Sequence, residues 1–145
     1  MDIKLNKATL EDLKTVALIE KLANSKTYHG LTNEEDLLNY INKSEVFLIK
    51  GDDKVLGLVS FKVKDNIASC NGLVICPEFR RRGYAKEAMK IAINEFKNCD
   101  RIDLVVHPKN SPAISLYLSL GFNIEEYKEN YFGDGEPRIF MVFSD

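Results

Sequence analysis

A basic segment stands directly before a predicted helix and carries the residues best suited to bind an anion. It consists of Arg80, Arg81, Arg82, Gly83, Tyr84, Ala85 and Lys86. The first turn of a helix has backbone N–H groups without partners, which a Ser, Thr, Asp or Asn side chain normally caps. No such residue lies between Phe79 and Ala85, and three cations at the positive end of the helix dipole are unfavourable by themselves. The segment therefore predicts a binding site for an anion. The anion would accept hydrogen bonds from these N–H groups and neutralise the charge of the arginines.

The helix after this segment is predicted from its periodicity. Its apolar residues recur at spacings of three and four: Ala85, Ala88, Met89, Ala92, Ile93 and Phe96. Strand patterns at Ile67 to Ile75 and at Arg101 to Val106 flank the segment and helix. Because a helix crossover joins these two strands, we expect them to be parallel neighbours, an arrangement at which ligands usually bind. Gly72 in the earlier strand predicts a bulge or a close ligand.

A second cluster of candidate residues surrounds a predicted helix near the C-terminus. Its pattern is Asn110-x-x-Ala113-Ile114-x-Leu116-Tyr117-x-x-x-Gly121-Phe122. We expect Ser111 to cap this helix, with Pro112 in its first turn and Gly121 at its end. Because nearly all its residues are apolar, we expect the helix to be largely buried. By residue type alone, Asn110 also suits a helix entry, and Tyr117 suits a core aromatic with one satisfied hydroxyl.

The rest of the chain alternates between short strand patterns and two helices. The further predicted strands are Ile3 to Lys7, Glu45 to Lys50, Val55 to Lys64, Phe122 to Phe132 and Arg138 to Phe143. Thr9 with Asp12, and Thr32 with Glu35, form capping-box patterns that predict the starts of the two helices. Alternating residues of one strand are expected to share a face: Val55, Gly57, Val59, Phe61 and Val63.

Length and composition restrict the class of protein. The chain has 145 residues, of which 45% are hydrophobic and 29% charged, which suits one globular domain over residues 1–145. The net charge of −2 argues against a dedicated nucleic-acid-binding protein. No apolar run reaches the roughly 18 residues of a membrane span, and the first residues lack a signal-peptide pattern. Three cysteines without a C-x-x-C pair, and only two histidines, favour a cytoplasmic protein without a metal site.

The two clusters together resemble motifs of the GCN5-related N-acetyltransferase (GNAT) family. Arg80-x-x-Gly83-x-Ala85 is similar to the family's acyl-CoA pyrophosphate loop, written Q/R-x-x-G-x-G/A, and the Asn110 cluster is similar to its other CoA-contacting motif. The order of the two motifs, separated by one helix and one strand, also agrees with the family. The resemblance implies an α/β (α+β) fold, with a central mixed, mostly antiparallel sheet that is splayed at one parallel strand pair and flanked by about four helices.

The resemblance also implies which residues bind acetyl-CoA. Backbone groups of Leu73, Val74 and Ile75 would pair with pantetheine as if it were an added strand. The pyrophosphate would be wrapped by Arg80, Arg81, Arg82, Gly83, Tyr84, Ala85 and Lys86. Asn110 would hydrogen-bond the CoA arm, and Tyr117 would face its sulfur. No metal is implied.

The implied activity is transfer of an acetyl group from acetyl-CoA to a primary amine, either a protein or peptide N-terminus or a small-molecule amine. Tyr117 would be the general acid that protonates the leaving thiolate. His107 is a candidate base because histidine titrates near neutral pH, although a lone histidine at a strand end is more often structural. Glu34, Glu35 and Tyr131 are weaker candidates for the base.

The C-terminal tail resembles that of bacterial N-terminal acetyltransferases that modify ribosomal proteins. The similar residues are Asn130-Tyr131-Phe132, Asp134-Gly135-Glu136 and Met141. Those enzymes have a glutamate five residues before the motif asparagine, where this chain has Val105. The residue proposed as their base is therefore missing here. We expect Tyr28, in the polar loop from Asn24 to Leu31, and Tyr131 to bind the acceptor.

Two other functions remain open from the sequence. One is a catalytically weak CoA-binding sensor or scaffold, which Val105 in place of a carboxylate would suit. The other is an RNA- or nucleotide-binding module that uses the three arginines, against which the acidic balance and the lack of interleaved aromatic residues argue. The expected partner is the amine substrate, without nucleic acid or membrane, and the protein is expected to be a monomer or homodimer.

Overall fold

Seven strands and four α-helices make up the described part of the chain. The computed structural model describes residues 2–23 and 33–144. The strands are β1 Lys4–Lys7, β2 Glu45–Gly51, β3 Lys54–Lys64, β4 Ile67–Ile75, β5 Arg101–Val106, β6 Phe122–Lys128 and β7 Arg138–Phe143. The helices are α1 Leu13–Ala23, α2 Glu34–Lys43, α3 Tyr84–Glu95 and α4 Ser111–Leu120. In residues 2–23 and 33–144, no helix is both long and apolar enough to cross a membrane.

The strands form one sheet in the order β1-β2-β3-β4-β5-β7-β6. Every neighbouring pair is antiparallel except β4 and β5, which are parallel. This parallel pair extends only from Ile67 opposite Arg101 to Cys70 opposite Leu104. Beyond those residues the two strands diverge, so the sheet is splayed at its one parallel pair. The predicted fold class is confirmed.

Two irregularities in the sheet decide which side chains face which helices. The pairing of β2 with β3 shifts between Ile49 and Lys50, and the pairing of β3 with β4 shifts between Ser60 and Phe61. The second shift leaves Asn71 as the extra residue of β4, next to Gly72, so the predicted bulge is confirmed. A bulge reverses the alternation of faces along a strand.

The predicted common face of β3 is wrong at Val55, because the first shift leaves Leu56 as an extra residue of β3. Val59 and Phe61 are fully buried in the core that contains residues of α3 and α4. Val55 packs instead against the core that contains residues of α1 and α2. A strict period of two predicts side-chain direction only while the register of the strand is unbroken.

Each face of the sheet is covered by one pair of helices. Helices α1 and α2 bury Val16, Ile19, Leu37 and Ile41 against one face, with Leu48, Leu58 and Val74 of the sheet. Helices α3 and α4 cover the other face through Ala88, Met89, Ala92 and Tyr117. The cleft described below passes between these two layers at the divergence of β4 and β5.

The helix starts agree with the predictions at one position and differ at two. Thr9 and Asp12 form the expected capping box, at a short 3₁₀ turn, Leu10–Asp12, that leads into α1. Asn33, whose side chain accepts hydrogen bonds from the N–H groups of Glu35 and Asp36, caps α2, and Thr32 lies outside the described residues. Asn110, rather than Ser111, caps α4, because its Oδ1 accepts from the N–H of Ala113 at 3.4 Å.

Two further predictions were wrong. Helix α4 is not largely buried: Tyr117 is its one buried residue, and Leu118 is 48% exposed. Ala113, Ile114, Leu116 and Leu120 are half-buried against the core, and the remaining residues of the helix are exposed. The first strand of the closing hairpin ends at Lys128 rather than Phe132, because residues 129–137 form the connecting loop.

Candidate active site

A cleft of about 1710 Å³ opens where β4 and β5 diverge. Its walls come from the ends of these strands, the starts of α3 and α4, the inner sides of α1 and α2, and the loop between β6 and β7. The position follows from topology, because the helix crossover from β4 to β5 carries α3 to the point where strand pairing stops. Residues from both helical layers therefore contact one cavity.

The start of α3 has the properties of an anion site. Gly83 occupies the N-cap position with φ of 80°, and no side chain caps the helix. Arg81, just before it, also has a positive φ, of 66°. A Cβ on Gly83 would meet nothing within 4 Å among the described atoms, so the space in front of the helix is open. The unpaired N–H groups and the neighbouring arginines suit a phosphate group there.

The turn before α3 is held by contacts to β4. Pro77–Phe79 form a 3₁₀ turn that begins immediately after the strand, and the N–H of Cys76 donates to the carbonyl of Leu56 at 2.8 Å. Arg80 Nε donates to the carbonyl of Ile75 at 2.9 Å. These bonds fix the position of the first turn of α3 relative to the end of β4.

The edge of β4 that faces β5 offers a place for an extended ligand. Leu73, Val74 and Ile75 pair with Val59, Leu58 and Gly57 of β3 on one side. On the other side, the pairing with β5 has ended at Cys70. An added strand-like ligand would find unpaired backbone there. Together with the open start of α3, this edge fits the pantetheine and pyrophosphate of an acyl-CoA.

Most of the predicted CoA-binding residues line this one cleft. They are Leu73, Val74, Ile75, Arg80, Arg81, Gly83, Tyr84, Ala85, Asn110 and Tyr117. Arg82 and Lys86 belong to the same turn and helix but are not part of the cleft wall. Their predicted role remains a prediction, as does that of each residue in the cleft.

Asn110 and Tyr117 are both positioned by α4. Because Asn110 uses Oδ1 as the helix cap, its amide nitrogen is the group that remains for a ligand. Tyr117 is 8% exposed, and its ring packs edge-on against Phe122 with centroids 5.6 Å apart. Burial, with a smaller contribution from Cys70, raises the pKa of Tyr117 well above its usual range. The phenol therefore stays protonated at neutral pH and can act as a proton donor.

His107 lies in the cleft wall at the end of β5 and is 4% exposed. Its Nδ1 accepts a hydrogen bond from the N–H of Lys109 at 3.1 Å, which places the proton of the neutral ring on Nε2. That atom is buried without a hydrogen-bond partner in the described structure, and Oε1 of Glu136 is 3.7 Å away. Within residues 2–23 and 33–144, no group of His, Cys, Asp or Glu side chains is arranged to hold a metal ion.

The C-terminal loop adds an aromatic part to the wall of the cleft. Tyr131 packs edge-on against Phe132 and Phe140, with centroids 4.7 and 4.8 Å apart. Arg138 is 8% exposed and bonds Asp134 at 2.8 Å, which stabilises the loop. Tyr28, the other predicted acceptor residue, lies outside the described residues. Glu34 and Glu35 lie in the exposed first turn of α2 and are not part of the cleft wall.

A polar cluster beside the cleft was missed by the sequence analysis. It joins Glu20 of α1, Tyr40 of α2, Ser60 of β3 and Asn71 of β4. One signal for it was present in the sequence: Glu20 follows Val16 by four residues and so shares the buried side of α1. The bulge turns Asn71 toward the other three residues, and no pattern in the sequence predicted that Asn71 would join this cluster.

Comparisons with known proteins agree with this geometry. A family model described as "Acetyltransferase (GNAT) family" matches residues 15–122. An N-alpha-acetyltransferase of Sulfurisphaera tokodaii is 26% identical, over 97% of this chain and 92% of that protein. A spermidine N(1)-acetyltransferase of Thermoplasma acidophilum is 28% identical, over 87% of this chain and 91% of that protein.

A solved structure shows the same fold. The ribosomal-protein-S18-alanine N-acetyltransferase from Escherichia coli superposes with a TM-score of 0.82, covering 98% of this chain and 93% of that one at 22% identity. The family model spans most of the chain, and the cleft fits an acyl-CoA at the position of the motifs. This chain belongs to the GNAT family of acetyltransferases.

Proposed function

We propose that the protein transfers the acetyl group of acetyl-CoA directly to a primary amine, with Tyr117 as general acid. The observation that carries this proposal is the position of the buried Tyr117 phenol in the same cleft as the uncapped start of α3. The Tyr117 phenol suits protonation of a leaving thiolate, and the start of α3 suits binding of the phosphates of acetyl-CoA. The acceptor is a peptide N-terminus or a small-molecule amine.

The residues of the donor side hold and orient acetyl-CoA, which supplies the activated acetyl thioester. The N–H groups at the start of α3 bind the pyrophosphate, and the free edge of β4 binds the pantetheine arm. These contacts are made mostly by backbone groups, so they direct the thioester toward Tyr117 without requiring many side chains. Asn110 contributes its amide nitrogen to the arm.

Tyr117 acts at the end of the reaction, when CoA leaves. A thiolate without solvent is costly in a water-poor cleft, so a phenol within hydrogen-bond reach can donate its proton as charge develops. Burial of Tyr117 keeps the proton on the phenol before that step. His107, Tyr131 and the loop from Asp134 to Arg138 surround the opposite end of the cleft, where the acceptor enters.

A thiol-release assay with acetyl-CoA tests the proposal. The panel contains a peptide with a free N-terminal alanine, spermidine and an aminoglycoside, so that the two classes of acceptor are separated. We expect turnover with at least one amine, and mass spectrometry should find one added acetyl group on it. CoA binding without turnover on any amine would instead support the sensor or scaffold function.

A further inference from the structure

Three aromatic side chains form a contiguous apolar surface in the wall of the cleft. We call this surface the aromatic patch, and its members are Tyr131, Phe132 and Phe140. The ring of Phe132 is 63% exposed and that of Tyr131 is 42% exposed. Single exposed apolar side chains are common on protein surfaces, but contiguous aromatic rings in a concave site are typical of a surface that binds a ligand.

The most exposed ring of the aromatic patch has fixed neighbours on two sides. Arg138 Cζ lies 5.0 Å from the centroid of the Phe132 ring, and Tyr131 contacts the same ring edge-on. Arg138 is itself held by Asp134 at 2.8 Å and by the carbonyl of Pro137 at 3.0 Å. The Phe132 ring is therefore supported in one position although most of its surface is exposed.

The loop between β6 and β7, which carries two of the rings, is held by hydrogen bonds of its own. Oδ1 of Asn130 accepts from the N–H of Gly135 at 2.6 Å, and the carbonyl of Asn130 accepts from the N–H of Gly133 at 3.2 Å. Oδ1 of Asp134 accepts from the N–H of Glu136 at 2.9 Å. A surface that is ordered before its ligand arrives loses less conformational entropy on binding.

The rings of the aromatic patch already contact cations of this chain. Lys128 Nζ lies 5.0 Å from the centroid of Phe140 and 5.8 Å from that of Tyr131, and the Arg138 guanidinium lies over Phe132. A polyamine would bind these rings by the same cation–π contact, so it would compete with both side chains. What the patch offers a ligand is its apolar area, which an apolar or aromatic side chain can cover.

We propose that the acceptor is a peptide N-terminus and that the aromatic patch binds an apolar or aromatic side chain among its first residues, with Phe132 as the specificity-determining contact. This inference rests on the proposed function and names the class of amine that its site takes. The patch and Tyr117 line the same cleft. One peptide can therefore present its α-amine to the thioester and a side chain further along to the patch, whereas spermidine has no side chain.

A panel of peptides that differ in one side chain tests the inference. Each peptide begins with a free alanine, and phenylalanine stands at the second, third or fourth position of a sequence that otherwise contains alanine and serine. With the wild type, we expect kcat/KM for the preferred phenylalanine peptide to exceed that for the peptide without phenylalanine by about tenfold, because the aromatic side chain is partly buried on binding. Spermidine should be a poorer acceptor than the preferred peptide.

Phe132→Ala should remove this preference. The ratio of kcat/KM for the preferred peptide to that for the peptide without phenylalanine should fall to near one, while the affinity for CoA stays the same. Phe132→Tyr keeps the ring and should retain the ratio of the wild type. The control is Ile124→Ala, which removes a 54% exposed side chain of β6 that is not part of the cleft wall, and its ratio should also be that of the wild type.

Calorimetry with CoA-loaded protein gives a readout that does not depend on turnover. The preferred peptide should bind the wild type about tenfold more tightly than the peptide without phenylalanine, and the two should bind Phe132→Ala equally. Equal binding of both peptides to the wild type, a preference that survives in Phe132→Ala, or spermidine as the better acceptor would overturn the inference.

The same measurements separate this inference from the proposed function. Selective peptide binding that needs Phe132 but leads to no acetyl transfer would support the aromatic patch as a peptide site and remove the proposed function. Transfer to spermidine alone would support the proposed function and overturn the peptide acceptor. A wild type that neither binds nor acetylates any amine would overturn both.

Discussion

The two ends of the cleft are built in different ways. At the proposed donor end, the start of α3 and the edge of β4 present backbone groups, and the side chains around them are mostly exposed. At the proposed acceptor end, buried side chains from distant parts of the chain meet, with Glu20 and Ser60 40 residues apart in sequence but both buried. The donor end is local in sequence, and the acceptor end is assembled by tertiary structure.

This difference predicts how each end tolerates substitution. A site made of backbone groups depends on whether the chain can adopt its conformation, and single side-chain charges are partly redundant. A site made of buried side chains depends on each group, because removing one leaves its partner unsatisfied. The following changes test this contrast, from the largest expected effect to the smallest.

Tyr117→Phe is expected to have the largest effect, on turnover alone. The ring and its packing against Phe122 are retained, so the fold and CoA affinity should survive while kcat falls by roughly ten- to a thousandfold. Single-turnover kinetics should be used to confirm that chemistry limits the rate. If the variant kept full turnover under that condition, Tyr117 would be a core residue and would not be the general acid.

Gly83→Val should weaken CoA binding more than Arg81→Gln does. The valine places a branched side chain at a φ of 80°, where L residues are strained, and blocks approach to the N–H groups of α3. We expect a loss of tenfold or more in CoA affinity by calorimetry, against a few-fold for Arg81→Gln.

Gly133→Val is the matched control for that comparison. Gly133 has a similar φ of 78° and equally open surroundings, but it lies in the C-terminal loop. The backbone strain is therefore the same while CoA affinity should stay at the wild-type value. If the arginine variant lost more affinity than Gly83→Val, the donor end would depend on side-chain charge.

Tyr131→Ala should raise the KM for the amine several-fold and leave the KM for acetyl-CoA unchanged. It removes a ring that packs against Phe132 and Phe140 at the acceptor end. Steady-state kinetics with each substrate varied in turn measure the two KM values separately. The control is Tyr127→Ala, which changes an exposed residue of β6. The same expectation applies to Tyr28→Ala. A parallel rise in both constants would show that the two ends are not separate.

Cys70 should make stability fall at alkaline pH, the smallest of these effects. Burial raises the pKa of its thiol to about 12, whereas an unfolded thiol ionises near pH 8.5. Above that pH the unfolded chain releases a proton that the folded chain keeps, so the free energy of unfolding falls by about 1.4 kcal/mol per pH unit. Urea unfolding at pH 8, 9 and 10 should show a shallower decline for Cys70→Ala. Equal slopes would mean that water reaches the thiol where β4 and β5 part.

Local signals were enough to predict the structure around the start of α3. The helix α3, its missing cap and the parallel pair of β4 and β5 all follow from residues within one crossover. Two predictions went wrong where residue type and spacing suited more than one outcome. Asn110, rather than the adjacent Ser111, caps α4, and the extra residue Leu56 in the pairing of β3 with β2 turned Val55 away from the face of Val59.

The sequence by itself determined the order of elements and the uncapped start of α3, because the caps, glycines and apolar spacing act over a few residues. Only the tertiary structure decided that Glu20 faces Tyr40, Ser60 and Asn71, because that cluster depends on how α1 and α2 dock on the sheet and on a one-residue bulge in β4. A shift of one residue in a strand reverses the direction of every later side chain. The acceptor end of the cleft therefore could not be predicted from spacing along the chain.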